Sequence, residues 1–243
     1  MQESELWITR IFNDHLAGLG NALLSLVGIH AQARPWVDFV VMEILVALLL
    51  GILFPVLRAR LSFDSPGTFQ QIFEMLYGFV RGQAEDQVGP SAHRYLAFFG
   101  TLFVFILTCN LIGLIPVFES PTNSPSVTVG CALATFLYYH LMGIRANGFR
   151  YLGHFTGPLW WLAPLMFPIE IISNLARVLS LTVRLYANMF AGEQVTMVFL
   201  RLTYFVFPAV FMGLHVFVGV VQAYIFMLLS MVYVGSAVAH EHS

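Results

Sequence analysis

Lysine is absent from this chain: all eleven basic residues among its 243 are arginine. Charge of either sign is scarce. Charged residues make up 10% of the chain and hydrophobic ones 58%, whereas a soluble domain carries about a quarter charged residues. A water-soluble globule is excluded, and an all-α integral membrane protein with several spans is expected. A formal net charge of −2 gives no electrostatic footprint for nucleic acid, so no such partner is expected. The two cysteines, Cys109 and Cys131, both lie in apolar runs, which excludes a disulfide framework and a metal-ligating cysteine spacing. Without lysine there is no phosphate-binding loop of the G-x-x-x-x-G-K-S/T type, so nucleotide chemistry belongs elsewhere. Neither a metal nor an organic cofactor is expected. The opening MQESELWITR lacks the basic n-region of a cleaved signal peptide.

A hydrocarbon core of about 30 Å takes about 20 helical residues. Residues 36 to 57 give a first span, with Asp38 at its edge and Glu43 inside. Residues 95 to 118 give a second, without charge, and residues 126 to 144 a third, where His140 is the ionisable group. Tyr138, Tyr139 and His140 read as interfacial, near the inner boundary. Between the first two spans, residues 66 to 88 put Phe69, Ile72, Phe73, Leu76, Phe79 and Val80 on one helical face. Gln70, Gln71, Glu74 and Arg81 take the other, so this amphipathic helix lies at the membrane surface. Pro116, Pro121 and Pro125 break the chain between the second and third spans.

The last third is overlong. Residues 202 to 239 hold no charge and one histidine, His215. As one helix they would reach about 57 Å and must tilt, bend at Pro208 or break. Residues 155 to 201 pose the same problem, with Pro158, Pro164 and Pro168 marking a short helical piece before a long one from about Ile169. The chain thus divides into an N-terminal outside segment (1–35), peripheral spans with the interfacial helix (36–150) and a strongly tilted two-helix hairpin (155–240). Arginine sets the orientation. Arg58, Arg60, Arg81, Arg94, Arg145 and Arg150 fall on one side, Arg10 and Arg34 on the other. The N-terminus is then outside and the C-terminus cytoplasmic.

Polar residues in the hairpin are not scattered. Glu170, Asn174, Arg177, Leu181, Arg184 and Asn188 are spaced 4, 3, 4, 3, 4. At about 100° per residue they fall within about 80° of one another, a stripe along one helix face. Glu193 lies half a turn away from Arg184 and about 13 Å further along the axis. His215 and Gln222 share a face of the following helix, and an antiparallel arrangement would let the Glu193 side meet His215. Intramembrane carboxylates, histidines and amides relay protons where water reaches them. Arginine holds its proton too firmly for that, and Arg184 is instead a fixed positive charge. Its structural alternative is an ion pair with Glu43 or Glu170.

The stretches PIEIISNLARVLSLTVRLYANMFAGE (168–193) and LHVFVGVVQAYIFMLLSMVY (214–233) resemble the membrane subunit a of F-type ATP synthases. TFQQIFEMLYGFVRG and NLIGLIP (110–116) are similar to that family too, and the R-L-x-x-N-M-x-A-G-E pattern from Arg184 is highly specific. The resemblance implies a proton-translocating stator subunit of a bacterial inner membrane. It implies as partners a ring of c subunits, the subunit b stalk, the rest of the ATP synthase and lipid. The chain itself would carry no catalytic site. Arg184 matches the essential arginine that faces the ring carboxylate, and Asn188 an asparagine beside it. Glu193, His215, Gln222 and Asn110 match the outward half-channel. Glu170, with Ser173 and Asn174 nearby, matches the inward one. One departure concerns Gly113, where some members carry an aspartate; outward access then falls to Glu119, Asp38 or Glu43.

Two other functions compete. An independent proton- or sodium-coupled secondary transporter would show inverted repeats and an internal partner for the arginine, and neither is present in the sequence. An intramembrane hydrolase needs H-E-x-x-H or a nucleophile pair, and His240, Glu241 and His242 have the wrong spacing and setting.

Overall fold

The computed structural model describes residues 6–26, 28, 30, 32–59, 61, 67–115, 118–148, 163–202 and 206–238. Pro116, Pro158, Arg60, Arg150 and the 240–242 triplet lie outside them. Among the described residues run α1 (Trp7–Leu26), α2 (Asp38–Ala59), α3 (Thr68–Val88), α4 (Leu96–Ile112), α5 (Pro125–Asn147), α6 (Ala163–Leu202) and α7 (Val206–Val238). Short 3-10 turns at Pro90–Arg94 and Pro121–Asn123 lead into α4 and α5. No described residue is in a strand. A lipid-spanning segment must satisfy its backbone internally, and α2, α5, α6 and α7 are long and apolar enough to do so. Apolar α4 is shorter, at 17 residues. It ends at Gly113 rather than at 118, because Leu114 and Ile115 donate back to the carbonyls of Leu111 and Ile112 in tight turns.

α7 is the centre of the bundle, with α3, α4, α5 and α6 packed against it. Phe99 and Ile106 of α4, Leu185 and Met189 of α6, and Phe226, Met227 and Met231 of α7 are buried. Lipid tails are as apolar as these side chains, so close packing rather than transfer from water holds such helices together. Ala223 and Ser230, small and fully buried on α7, allow that approach.

α3 occupies the segment expected at the membrane surface. Its Val80 and Ala84 are buried, whereas Phe69, Ile72 and Met75 are exposed. The Tyr224 hydroxyl of α7 donates to Gln83 Oε1 at 2.9 Å, pinning α3 to the bundle. The N-terminal segment, which carries no assigned helix in the sequence reading, contains α1. Asn13 donates to the Trp36 carbonyl and accepts from the Trp36 amide, both at 3.0 Å. Trp36 Nε1 donates to the Leu16 carbonyl, and Asp38 accepts the Leu6 amide. These bonds lay α1 back along the start of α2.

At 40 and 33 residues, α6 and α7 extend about 60 Å and 50 Å, far beyond a 30 Å core, so they run steeply tilted. α6 begins at Ala163 rather than near Ile169, and Pro168 lies inside it. Pro164 sits in the first turn, where a missing N–H costs nothing; Pro168 removes one helical bond, to the Pro164 carbonyl. α7 starts just ahead of Pro208 for the first of these reasons.

Candidate functional site

The stripe on α6 is divided among three local environments. In the first, the Tyr139 hydroxyl of α5 donates to Asn174 Oδ1 at 2.7 Å. Asn174 Nδ2 in turn donates to the Glu170 carbonyl at 3.0 Å and to its Oε1 at 3.3 Å. Tyr139 is only 2% exposed and Asn174 5%. The Tyr139 hydroxyl thus has a buried partner across the α5–α6 contact. Ser173 is half-buried beside this pair. One turn on, the Arg177 guanidinium lies 5.2 Å above the Tyr233 ring of α7, close enough for a cation–π contact.

Arg184 forms the second environment. It is half-buried, and its one polar contact among the described residues is a long one, from Nη2 to Ser180 Oγ at 3.5 Å. Neither Glu43 nor Glu170 pairs with it. On the same side of α6, Ser180, Ala187 and Ala191 are exposed. The guanidinium thus borders a surface of small side chains that this chain leaves uncovered.

The third lies further along, where α6 meets α7, α4 and the Pro121–Asn123 turn. Asn188 Nδ2 donates to Gln222 Oε1 at 2.7 Å. His215 is buried against Gly192, where a Cβ would lie 3.3 Å from the imidazole. The two long helices therefore touch through Gly192, and Glu193 does not bond to His215. Instead Asn123 Nδ2 donates to Glu193 Oε2. Asn110, 1% exposed, donates to the Gly219 carbonyl at 2.9 Å and accepts from Thr122 Oγ1 at 2.7 Å. Ser120 Oγ donates to the Cys109 carbonyl at 3.0 Å and lies 2.8 Å from Thr122 Oγ1. Asn123 Oδ1, His215 Nε2 and Gln222 Nε2 are buried here without a partner among the described residues. Each such atom costs about 1–3 kcal/mol in a site built only for packing, so their concentration marks a functional region.

Of the carboxylates expected at the outward access, Asp38 is taken up by the Leu6 amide, at 3.2 Å. Glu43 is half-buried on α2. Glu119 lies two positions before the Pro121–Asn123 turn, next to Ser120. The described residues contain no cluster of histidine, cysteine and carboxylates able to hold a metal ion. Asn123 and Tyr139 are functional candidates that the sequence reading does not single out. One sits between prolines in a loop and the other beside a second tyrosine, and neither belongs to the α6 stripe.

The fold is that of a multi-span helical membrane subunit whose longest helix carries an arginine between two polar clusters. Residues 39–235 match the family described as ATP synthase A chain. Over 233 residues the chain is 62% identical to the ATP synthase subunit a of Solibacter usitatus, covering 96% of this chain and 100% of that one. It is 50% identical over 242 residues to the ATP synthase subunit a of Koribacter versatilis, with 98% of each chain covered. With the ATP synthase subunit a of Geobacter sulfurreducens it shares 44% identity over 177 residues, 73% of this chain and 77% of the relative. The chain belongs to the subunit a family of F-type ATP synthases.

Proposed function

We propose that the chain is the proton-translocating stator of a rotary ATP synthase, with two aqueous half-channels that reach a c-ring carboxylate and are separated by Arg184. The observation that carries this reading is Arg184 itself. A guanidinium midway along a membrane helix costs at least a few kcal/mol unless something compensates it, and no carboxylate of the described residues does. A carboxylate passing on a neighbouring ring is the complementary partner, and the exposed Ser180, Ala187 and Ala191 on the Arg184 side of α6 form the small-residue surface along which such a ring would slide.

The outward half-channel comprises Glu193, His215, Gln222, Asn188 and Asn110, and the inward one Glu170, Ser173 and Asn174. A proton entering by the outward path neutralises a ring carboxylate, which then tolerates lipid. After the ring turns, the carboxylate deprotonates into the inward path. Arg184 favours the ionised carboxylate in between and repels a proton crossing directly. Each proton crossing 100 mV supplies about 2.3 kcal/mol, so several are needed for one ATP. The arginine bias supports an N-terminus outside and a C-terminus in the cytoplasm of a bacterial cell, with the subunit b stalk as a further partner.

Replacing Arg184 by alanine in membrane vesicles with the rest of the complex present tests this reading. ATP-driven proton pumping should disappear and passive proton permeability rise; pumping at the parental rate would remove Arg184 from the mechanism. The pair Glu193→Gln and His215→Ala tests the outward path, whose assignment fails if proton flux is unaffected.

A further inference from the structure

We infer, resting on the half-channel reading above, that Asn123 is the positioning residue for Glu193, delivered by a turn that α4 has been shaped to receive. The turn is no ordinary surface loop. Ser120 is 5% exposed and Thr122 is inaccessible, although connecting segments normally run over the surface. Two side-chain bonds anchor it to α4, from Ser120 to the Cys109 carbonyl and from Thr122 to Asn110 Oδ1. Gly113 completes the seat: a Cβ there would lie 2.5 Å from Ser120 Cβ and 3.0 Å from Ser120 Cα. Any side chain at 113, aspartate included, would push the turn away. The polar group at the outward side of α4 is accordingly supplied from position 123.

Asn123 uses its amide nitrogen on Glu193, while its Oδ1 is buried without a partner among the described residues. The turn fixes where the amide stands, and the carboxylate fixes how it is rotated. A donated N–H favours the ionised carboxylate, so Asn123 governs both the aim of Glu193 and how tightly Glu193 keeps a proton. The other ionisable groups around this patch are His215 on α7, Glu119 beside the turn and Glu43 on α2, which packs on the turn. Arg184 is on the opposite face of α6, and Arg201 lies two turns beyond Glu193.

The test uses the whole ATP synthase reconstituted in liposomes, with ATP synthesis driven at fixed membrane potential. Only the pH of the compartment facing the outward path is varied. For Asn123→Ala the pH at half-maximal rate should rise by about one unit, with the maximal rate kept within about twofold. The isosteric Asn123→Asp sets two carboxylates side by side, which then share a proton; its profile should move further the same way. Profiles superimposed on the parent's for both variants would overturn the inference. Glu193→Gln run in parallel separates the two readings. Intact flux in that variant brings down the half-channel assignment, whereas lost flux with unmoved Asn123 profiles brings down only the role of Asn123.

Discussion

Tyr139→Phe isolates one buried hydrogen bond. The ring contacts of Tyr139 with Phe136 (5.5 Å between centroids) and Tyr233 (5.9 Å) survive the change. What goes is the hydroxyl that donates to Asn174 Oδ1 at 2.7 Å. Both partners are almost wholly buried, so water does not replace the donor. An acceptor left in that state costs about 1–3 kcal/mol. For a chain of this size, 1 kcal/mol corresponds to a midpoint shift of about 2–4 °C. The temperature at which this subunit leaves the detergent-solubilised complex, followed on native gels, should therefore fall by several degrees. ATP-driven pumping should slow without stopping, because Asn174 keeps its bonds to Glu170 but loses its orientation. In an Asn174→Ala background the same change should recover part of the loss, since the hydroxyl is then the buried group without a partner. An unchanged midpoint for Tyr139→Phe, or strict additivity in the double-mutant cycle, would refute the reasoning.

Three further outcomes are expected. Gly192→Val should abolish pumping in a normally assembled complex, and Gly192→Ala should reduce it less, because even a Cβ meets the His215 ring at 3.3 Å; parental pumping by the valine variant would count against the close contact. Asn188→Ala deprives the buried Gln222 of its one side-chain partner and should lower stability by about 1–3 kcal/mol, read by the same heating assay, while Asn188→Ala with Gln222→Leu recovers part of the loss. Asn13→Ala removes both bonds to the Trp36 backbone, and Trp36→Phe removes only the bond to Leu16. Trypsin should therefore cleave at Arg10 faster in the first variant than in the second, and equal rates would show that α1 is held by something else.

The parts of this architecture that repeat along one helix are readable from spacing. The α6 stripe from Glu170 to Asn188 and the two-faced α3 follow from a 3.6-residue period, and the excessive length of α7 from the absence of charge over residues 202–239. Contacts between distant segments are not encoded that way. Asn123 reaches Glu193 across 70 positions, and nothing in PTNSP announces which helix the amide will meet. Tyr139 is one of two adjacent tyrosines, and its partner Asn174 becomes visible only when α6 is packed on it. Pro168 is a fair signal for a helix start, yet α6 absorbs it, because one lost bond in the second turn costs less than restarting a helix. Gly113 illustrates the limit best. The sequence shows a missing side chain, and only the packing shows that Ser120 occupies its room.

The unbroken course of α6 has a consequence for which kinds of change this subunit can accept. Arg184, Gly192 and Glu193 meet different neighbours, yet they ride on one rigid screw. Inserting a single residue between Asn174 and Arg184 would turn everything beyond it by about 100° and advance it by about 1.5 Å. Arg184 would leave the uncovered side it shares with Ala187 and Ala191, Gly192 would leave His215 and Glu193 would leave Asn123, all at once. Adding seven residues would nearly restore the faces but displace them by about 10 Å along the axis. Length variation should therefore be tolerated in the connections of this chain and refused within α6, where position is counted from a common thread.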